Sequence, residues 1–183
     1  MKLLIASDIH GSYRYCEKML HAFDQEKADR MLLLGDILYH GPRNDLPDQY
    51  CPKDVISALN ERKEKILCVR GNCDTEVDQM VLAFPVMADY SLICIDALRM
   101  YATHGHIYHP DCLPPLQNGD ILLYGHTHVP AWEKRGKNLC LNPGSVSIPK
   151  NQSPRGYIIY SDGTFNWKTL DGDVYHTLTV RPC

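Results

Sequence analysis

Gly125-His126-Thr127-His128 places two imidazoles one residue apart, directly after the apolar run Ile121 to Tyr124 and before Pro130. Neutral imidazole is the commonest metal ligand among side chains. On an extended segment positions i and i+2 point the same way, so both rings can face one cavity. Alone, such a pair is usually two surface histidines in a turn. Here it is not alone: Asp8-Ile9-His10, Gly35-Asp36, Gly71-Asn72 and His104-Gly105-His106 each lie just past an apolar run that ends in a tight, polar turn. The ordered set Asp8, His10, Asp36, Asn72, His104, His126 and His128 supplies two carboxylates, four imidazoles and one amide oxygen. That is too many for one tetrahedral ion and suits two ions sharing a bridging carboxylate. Oxygen and nitrogen donors without thiolate favour Mn²⁺, Fe, Zn²⁺ or Mg²⁺.

The elements that must carry these residues are legible as alternating patterns. Lys2 to Ala6 reads as a central parallel strand. Ser12 then reads as the cap of a helix whose Cys16, Met19, Leu20 and Phe23 recur on one face. Met31 to Leu34 and Ile66 to Val69 read as the next strands, ending at Gly35-Asp36 and at Arg70-Gly71-Asn72-Cys73-Asp74. Between them lies an irregular stretch from Leu38 to Pro52, long enough to be functional, followed by a helix started by Pro52 with Val55, Ile56 and Leu59 inward. A short helix through Val77, Met80 and Val81 is expected next. From about Asp89 the chain turns to β-branched and aromatic runs: Leu92 to Ile95, Leu98 to Thr103, Ile121 to Tyr124, Tyr157 to Tyr160, Thr164 to Lys168 and Val174 to Val180. Asp162-Gly163 and Asp171-Gly172 mark hairpins. An α/β half feeding a strand-rich half predicts two packed sheets with helices outside, and ligands of such sheets gather beyond the carboxyl ends of strands.

At 183 residues the chain is read as one domain, able to bury roughly 70% of its unfolded surface. A formal charge of −3 spread along the chain argues against nucleic-acid or membrane partners and for a small substrate. The eight cysteines form no Cys-x-x-Cys pair; Cys68 and Cys94 read as core hydrophobes. No signal peptide or membrane span is evident, so a cytoplasmic protein with reduced thiols is expected. A homo-oligomer is compatible with the sequence.

These blocks resemble, in order, those of the calcineurin-like metallophosphoesterases, and specifically the small bacterial phosphodiesterase group of that family. Asn142-Pro143-Gly144-Ser145 matches the block that closes the small-enzyme version, and the match runs from residue 2 to about 150. The resemblance implies one domain over residues 1–183, a four-layer αββα sandwich of two mixed sheets, and metal-dependent phosphoester hydrolysis. It implies that Asp8, His10, Asp36 and His128 hold one ion and that Asn72, His104 and His126 hold the other, with Asp36 bridging. Manganese is the expected metal. Such a pair lowers the pKa of a shared water and clamps the phosphoryl oxygens.

One position departs from the pattern. Many relatives carry histidine after the asparagine, where it aids the leaving oxygen; this chain has Cys73, a weaker donor. His106 and His40 are further candidates for proton donation or phosphate contact, and Arg43 for clamping phosphate through its planar fork. His21, His109 and His176 are treated as surface residues. Asn142 to Ser145 either turns backbone N–H groups toward an anion or forms an ordinary turn. Three alternatives stand beside a small-substrate phosphodiesterase: a protein-binding scaffold like the retromer subunit of this fold, a nuclease, and a phosphomonoesterase. The intact ligand blocks argue against the scaffold.

Overall fold

The computed structural model describes residues 1–180, so Cys183 lies outside the described residues. Two mixed sheets carry the chain. The larger has the order β11-β10-β9-β1-β2-β3 and the smaller β4-β5-β6-β8-β7. In the larger, β1 (Leu3–Ala6), β2 (Arg30–Leu33) and β3 (Ile66–Cys68) run parallel, and β9 (Gly156–Ser161), β10 (Thr164–Thr169) and β11 (Val174–Thr179) add an antiparallel wing. In the smaller, β5 (Leu98–Thr103), β6 (Ile121–Leu123) and β8 (Asn138–Asn142) run parallel, flanked by antiparallel β4 (Tyr90–Ile95) and β7 (Ala131–Arg135).

Strand alternation sorts the core into layers. Leu4, Ala6, Met31, Leu33, Ile66 and Cys68 face the helices α1 (Tyr13–Glu26) and α2 (Pro52–Asn60), which bury Cys16, Met19, Leu20, Phe23, Val55 and Leu59 against them. Leu3, Ile5, Leu32, Leu34 and Trp167 face the other sheet through Met100, Ala102, Ile121, Leu123 and Leu141. On the far side of the smaller sheet, Leu122, Tyr124 and Cys140 form a small third cluster with Leu116 from the connection between β5 and β6. Among the described residues no helix covers that face; the loop over 104–120 does.

Several local expectations change. Ser12 stands at the N-cap of α1, but its hydroxyl donates to Asp48 O at 2.6 Å instead of capping, which pins the irregular stretch to the helix. The helix α3 (Glu76–Val81) forms, held by a capping box between Thr75 and Asp78, yet Val77, Met80 and Val81 are exposed. These three share one helical face, and that face points to solvent. Cys94 is exposed on the edge strand β4, not buried. His176 is not free at the surface: its ring stacks on Trp132 with centroids 3.7 Å apart, closing one edge of the sandwich.

Candidate metal centre

The carboxyl ends of β1, β2 and β3 and of the parallel β5 and β6 open onto one edge of the sandwich, so residues far apart in sequence converge there. Each strand end must turn at once for its side chain to point back into the cleft. Asp8, His10, Asp36, His126 and His128 do so in the left-handed region, with φ of 59°, 49°, 56°, 65° and 60°. Non-glycine residues adopt that region at a cost of order 1–3 kcal/mol each, and such strain clusters at functional sites. Two glycines allow the approach of these turns. A Cβ at Gly71 would overlap Asp36 Oδ1, and one at Gly125 would meet Ser7 Oγ and lie 3.0 Å from Asp8 Oδ2.

Backbone carbonyls fix the tautomers of three imidazoles. His10 Nδ1 donates to Tyr39 O, His128 Nδ1 to Ile148 O and His104 Nδ1 to Leu34 O, each at 2.7 Å. A carbonyl only accepts, so in the neutral ring each Nε2 carries a lone pair. His10 Nε2 and His128 Nε2 stand 3.2 Å apart, with Asp8 Oδ1 3.5 and 3.2 Å from them. That oxygen is buried and has no hydrogen-bond donor, while its partner Oδ2 accepts from His126 N at 3.1 Å. A second convergence lies beside the first. His104 Nε2 is 3.4 Å from Asp36 Oδ2, 3.1 Å from Asn72 Oδ1 and 3.3 Å from His126 Nδ1. Asp36 Oδ2 also lies 3.7 Å from His10 Nε2, so it stands between the two groups.

The electrostatics follow from burial and proximity. Burial alone would raise the Asp8 carboxyl, but the His10 and His128 imidazoles set against it and the charge of His104 hold it well below the usual range. Burial would lower His104; the Asp36 hydrogen bond and the Asp8 and Asp36 charges raise it to about 9. His126 is pushed down to about 4 by burial and the neighbouring His104, leaving a neutral ring. Where the rings are neutral, lone pairs and carboxylate oxygens packed this closely repel unless protons or metal cations lie among them. The oxygen and nitrogen donor set therefore fits hard to borderline divalent ions.

Behind these side chains lies a clasp, of which the sequence marks the Asn142 to Ser145 block but not Asp74. Asp74 is buried, and its carboxylate accepts from Asp36 N (2.8 Å), Ile37 N (2.9 Å) and Gly71 N (2.7 Å), joining the ends of β2 and β3. Asn142 Nδ2 donates to Gly125 O (2.8 Å) and Thr127 Oγ1 (3.1 Å), and Ser145 Oγ donates to Asp8 O (2.8 Å). The Asn142 to Ser145 block thus braces two ligand loops, and Gly144 N is taken by Asn142 Oδ1.

A cavity of about 470 Å³ opens over the centre, lined by His10, Asp36, Asn72, His126 and His128 together with Cys73 and Arg43; Gly41, Pro42, Asn44, Thr127 and Lys150 complete its wall. Burial and the Asp36 charge push the Cys73 thiol up to about 12, so it stays protonated. Two other expected residues are placed elsewhere. The His40 ring packs edge-on between Tyr39 and Tyr50, at 4.8 and 5.3 Å, outside the cavity wall. His106 is exposed and lines a neighbouring cavity. Lys150 had no sequence signal beyond lying a few residues after the Asn142 block.

The model of the calcineurin-like phosphoesterase superfamily domain matches residues 1–162. Phosphodiesterase YfcE of Escherichia coli is 50% identical over 157 residues, 86% of this chain and 85% of that protein. A solved structure of Yfce, described as a phosphoesterase from E. coli, superposes with a TM-score of 0.96 at 44% identity, covering 99% of this chain and 100% of that one. A single mutant of Vps29 from Entamoeba histolytica shares the fold, with a TM-score of 0.63 at 20% identity over 99% of this chain and 100% of that one. The family match over most of the chain, together with the 50% identity to a curated relative, places this protein in the calcineurin-like phosphoesterase superfamily.

Proposed function

We propose that the protein hydrolyses a phosphodiester bond of a small substrate, with two divalent ions, manganese foremost, held by Asp8, His10, Asp36 and His128 and by Asp36, Asn72, His104 and His126. The observation that carries this reading is the opposed pair His10 Nε2 and His128 Nε2, 3.2 Å apart beside the donorless Asp8 Oδ1. The arrangement is unfavourable until a cation fills it. The 50% identity to a protein named a phosphodiesterase supports the choice of diester. When bound, the two ions acidify a water and neutralise the phosphoryl oxygens. The protein supplies the rest. Arg43 and Lys150, both exposed on the cavity wall, draw the anionic phosphoryl group in and orient it. Asp36 holds both halves of the centre in register. Cys73, neutral and beside Asn72 Nδ2 at 3.2 Å, is a weak proton donor toward a departing oxygen, which suits activated leaving groups. The free thiols of the described residues agree with a reducing, cytoplasmic setting.

The test is to strip the purified protein with chelator, restore Mn²⁺, Zn²⁺ or Mg²⁺ separately, and follow an activated aryl phosphodiester beside its monoester. Hydrolysis of the diester that returns with metal, fastest with Mn²⁺, is expected. Turnover that survives exhaustive chelation, or a preference for the monoester, would overturn the reading.

A further inference from the structure

A second cavity of about 350 Å³ adjoins the first, and His126 and Thr127 line both. It sits on the outer face of the smaller sheet, where the loop over 104–120 takes the place of a helix. Its floor is Tyr124 from the end of β6 and Glu133 and Arg135 from β7; His106, His109 and Asp111 from the loop form the opposite wall. The volume is at the small end of ligand pockets, which run from about 300 to 1,000 Å³.

The polar groups here form a chain. Tyr124 OH donates to Glu133 Oε1 at 3.1 Å, Arg135 Nη2 donates to Glu133 Oε2 at 2.8 Å, and the same nitrogen lies 3.4 Å from Asp111 Oδ1. The chain leaves capacity unused. Each carboxylate oxygen has a second lone pair, the Tyr124 oxygen can still accept, and the guanidinium has further N–H groups. Spare donors and acceptors side by side over an aromatic ring match hydroxyl groups, which both donate and accept. The charge balance differs from that of the first cavity. Arg43 and Lys150 line the first against the single carboxylate Asp36, whereas the second has two carboxylates against one guanidinium. A second phosphoryl group would meet repulsion there, and an apolar group would strip water from the ionic chain without replacing its hydrogen bonds.

We propose that this cavity is the subsite for one ester substituent of the diester and that it selects an uncharged, hydroxyl-rich group, such as a sugar or ribosyl substituent, over an apolar or anionic one. The assignment rests on the reading of the metal centre as a phosphodiesterase. Glu133, Arg135 and Tyr124 are then specificity-determining residues, reached from the metal centre past its ligand His126 and past Thr127.

Binding and turnover test it separately. Ribose 5-phosphate and cyclopentylmethyl phosphate carry the same phosphoryl group on rings of similar size, and only the first bears hydroxyls. Calorimetric titration of the Mn²⁺-loaded protein should give ribose 5-phosphate the tighter binding by roughly 10-fold, the scale of one or two net hydrogen bonds. Glu133→Gln and Tyr124→Phe should each cut that ratio by at least about threefold. The 4-nitrophenyl diesters of the two groups, sharing one leaving group, should show the same ratio in kcat/KM. Equal affinities in the wild type, a ratio unmoved in both variants, or binding of neither phosphate at millimolar concentration would overturn the subsite. If the affinity ratio holds and neither diester is hydrolysed, the subsite stands and the hydrolytic reading falls.

Discussion

Asp36 Oδ2 lies 3.7 Å from His10 Nε2 and 3.4 Å from His104 Nε2, so one carboxylate oxygen touches both halves of the centre. Its other oxygen accepts from Cys73 N at 2.8 Å, which fixes the carboxylate's rotation. Asp36→Asn should therefore weaken both ion sites together, whereas His10→Ala should impair one. We expect kcat/KM on an activated diester to fall by about 10³-fold in the first variant and about 10²-fold in the second. Equal residual rates at equal folded protein would contradict the bridging role. Cys73 sets a second expectation at this scale. An activated aryl oxide departs without a proton, but an alkoxide needs one, help worth about 10²–10⁴ in rate. Cys73→His should raise rates on poor leaving groups and flatten the plot of log kcat/KM against leaving-group pKa. Parallel plots for the two proteins, with metal content matched, would leave Cys73 as packing only. The seven ligand candidates, which the structure brings to one cleft, could be picked out in the sequence because each follows an apolar run. Asp74, one residue beyond Cys73, was not, because a carboxylate that serves backbone N–H groups looks in sequence like any turn aspartate.

At the scale of elements, the turns between strands decide the geometry. The strand runs Leu98 to Thr103, Ile121 to Tyr124 and Thr164 to Lys168 reappear as β5, β6 and β10 with shifts of at most a residue. Asp162-Gly163 makes the expected hairpin, with φ of 49° and 76°. Asp96-Ala97 makes a similar one between β4 and β5, at 52° and 63°, without a glycine to announce it. The β7 and β8 hairpin was also silent in sequence, because Glu133, Lys134, Arg135 and Lys137 mask its alternation. Charges of this kind protect an edge strand, and two of them belong to the second cavity. The ends of β2 and β3 depend on Asp74, whose three accepted N–H groups include that of Asp36. Asp74→Asn would set an amide donor against one of those N–H groups. The variant should lose about 2–3 kcal/mol of stability and, by releasing the Asp36 turn, about 10–100-fold in metal affinity. Denaturant unfolding with a parallel metal titration checks both. Unchanged affinity would show that Asp36 needs no such clasp.

For the whole molecule, two sheets aligned so that their parallel strands end at one edge give the convergence that sequence order hides. The family resemblance anticipated that architecture. It did not anticipate that a loop covers the outer face of the smaller sheet, leaving room for a second cavity beside the first. The same fold at 20% identity in Vps29 shows why activity has to be argued from the site and not from the architecture. Site chemistry makes a claim that can be counted. Two clusters of ligands sharing Asp36 should take up two divalent ions per chain and release both to a chelator. The direct measurement is elemental analysis of the apo protein titrated with Mn²⁺, with hydrolysis of an activated aryl phosphodiester followed at each point. We predict activity rising to a plateau at two equivalents, with Asp36→Asn reaching neither that stoichiometry nor that rate. Saturation at one ion per chain with full activity would contradict the shared two-ion centre.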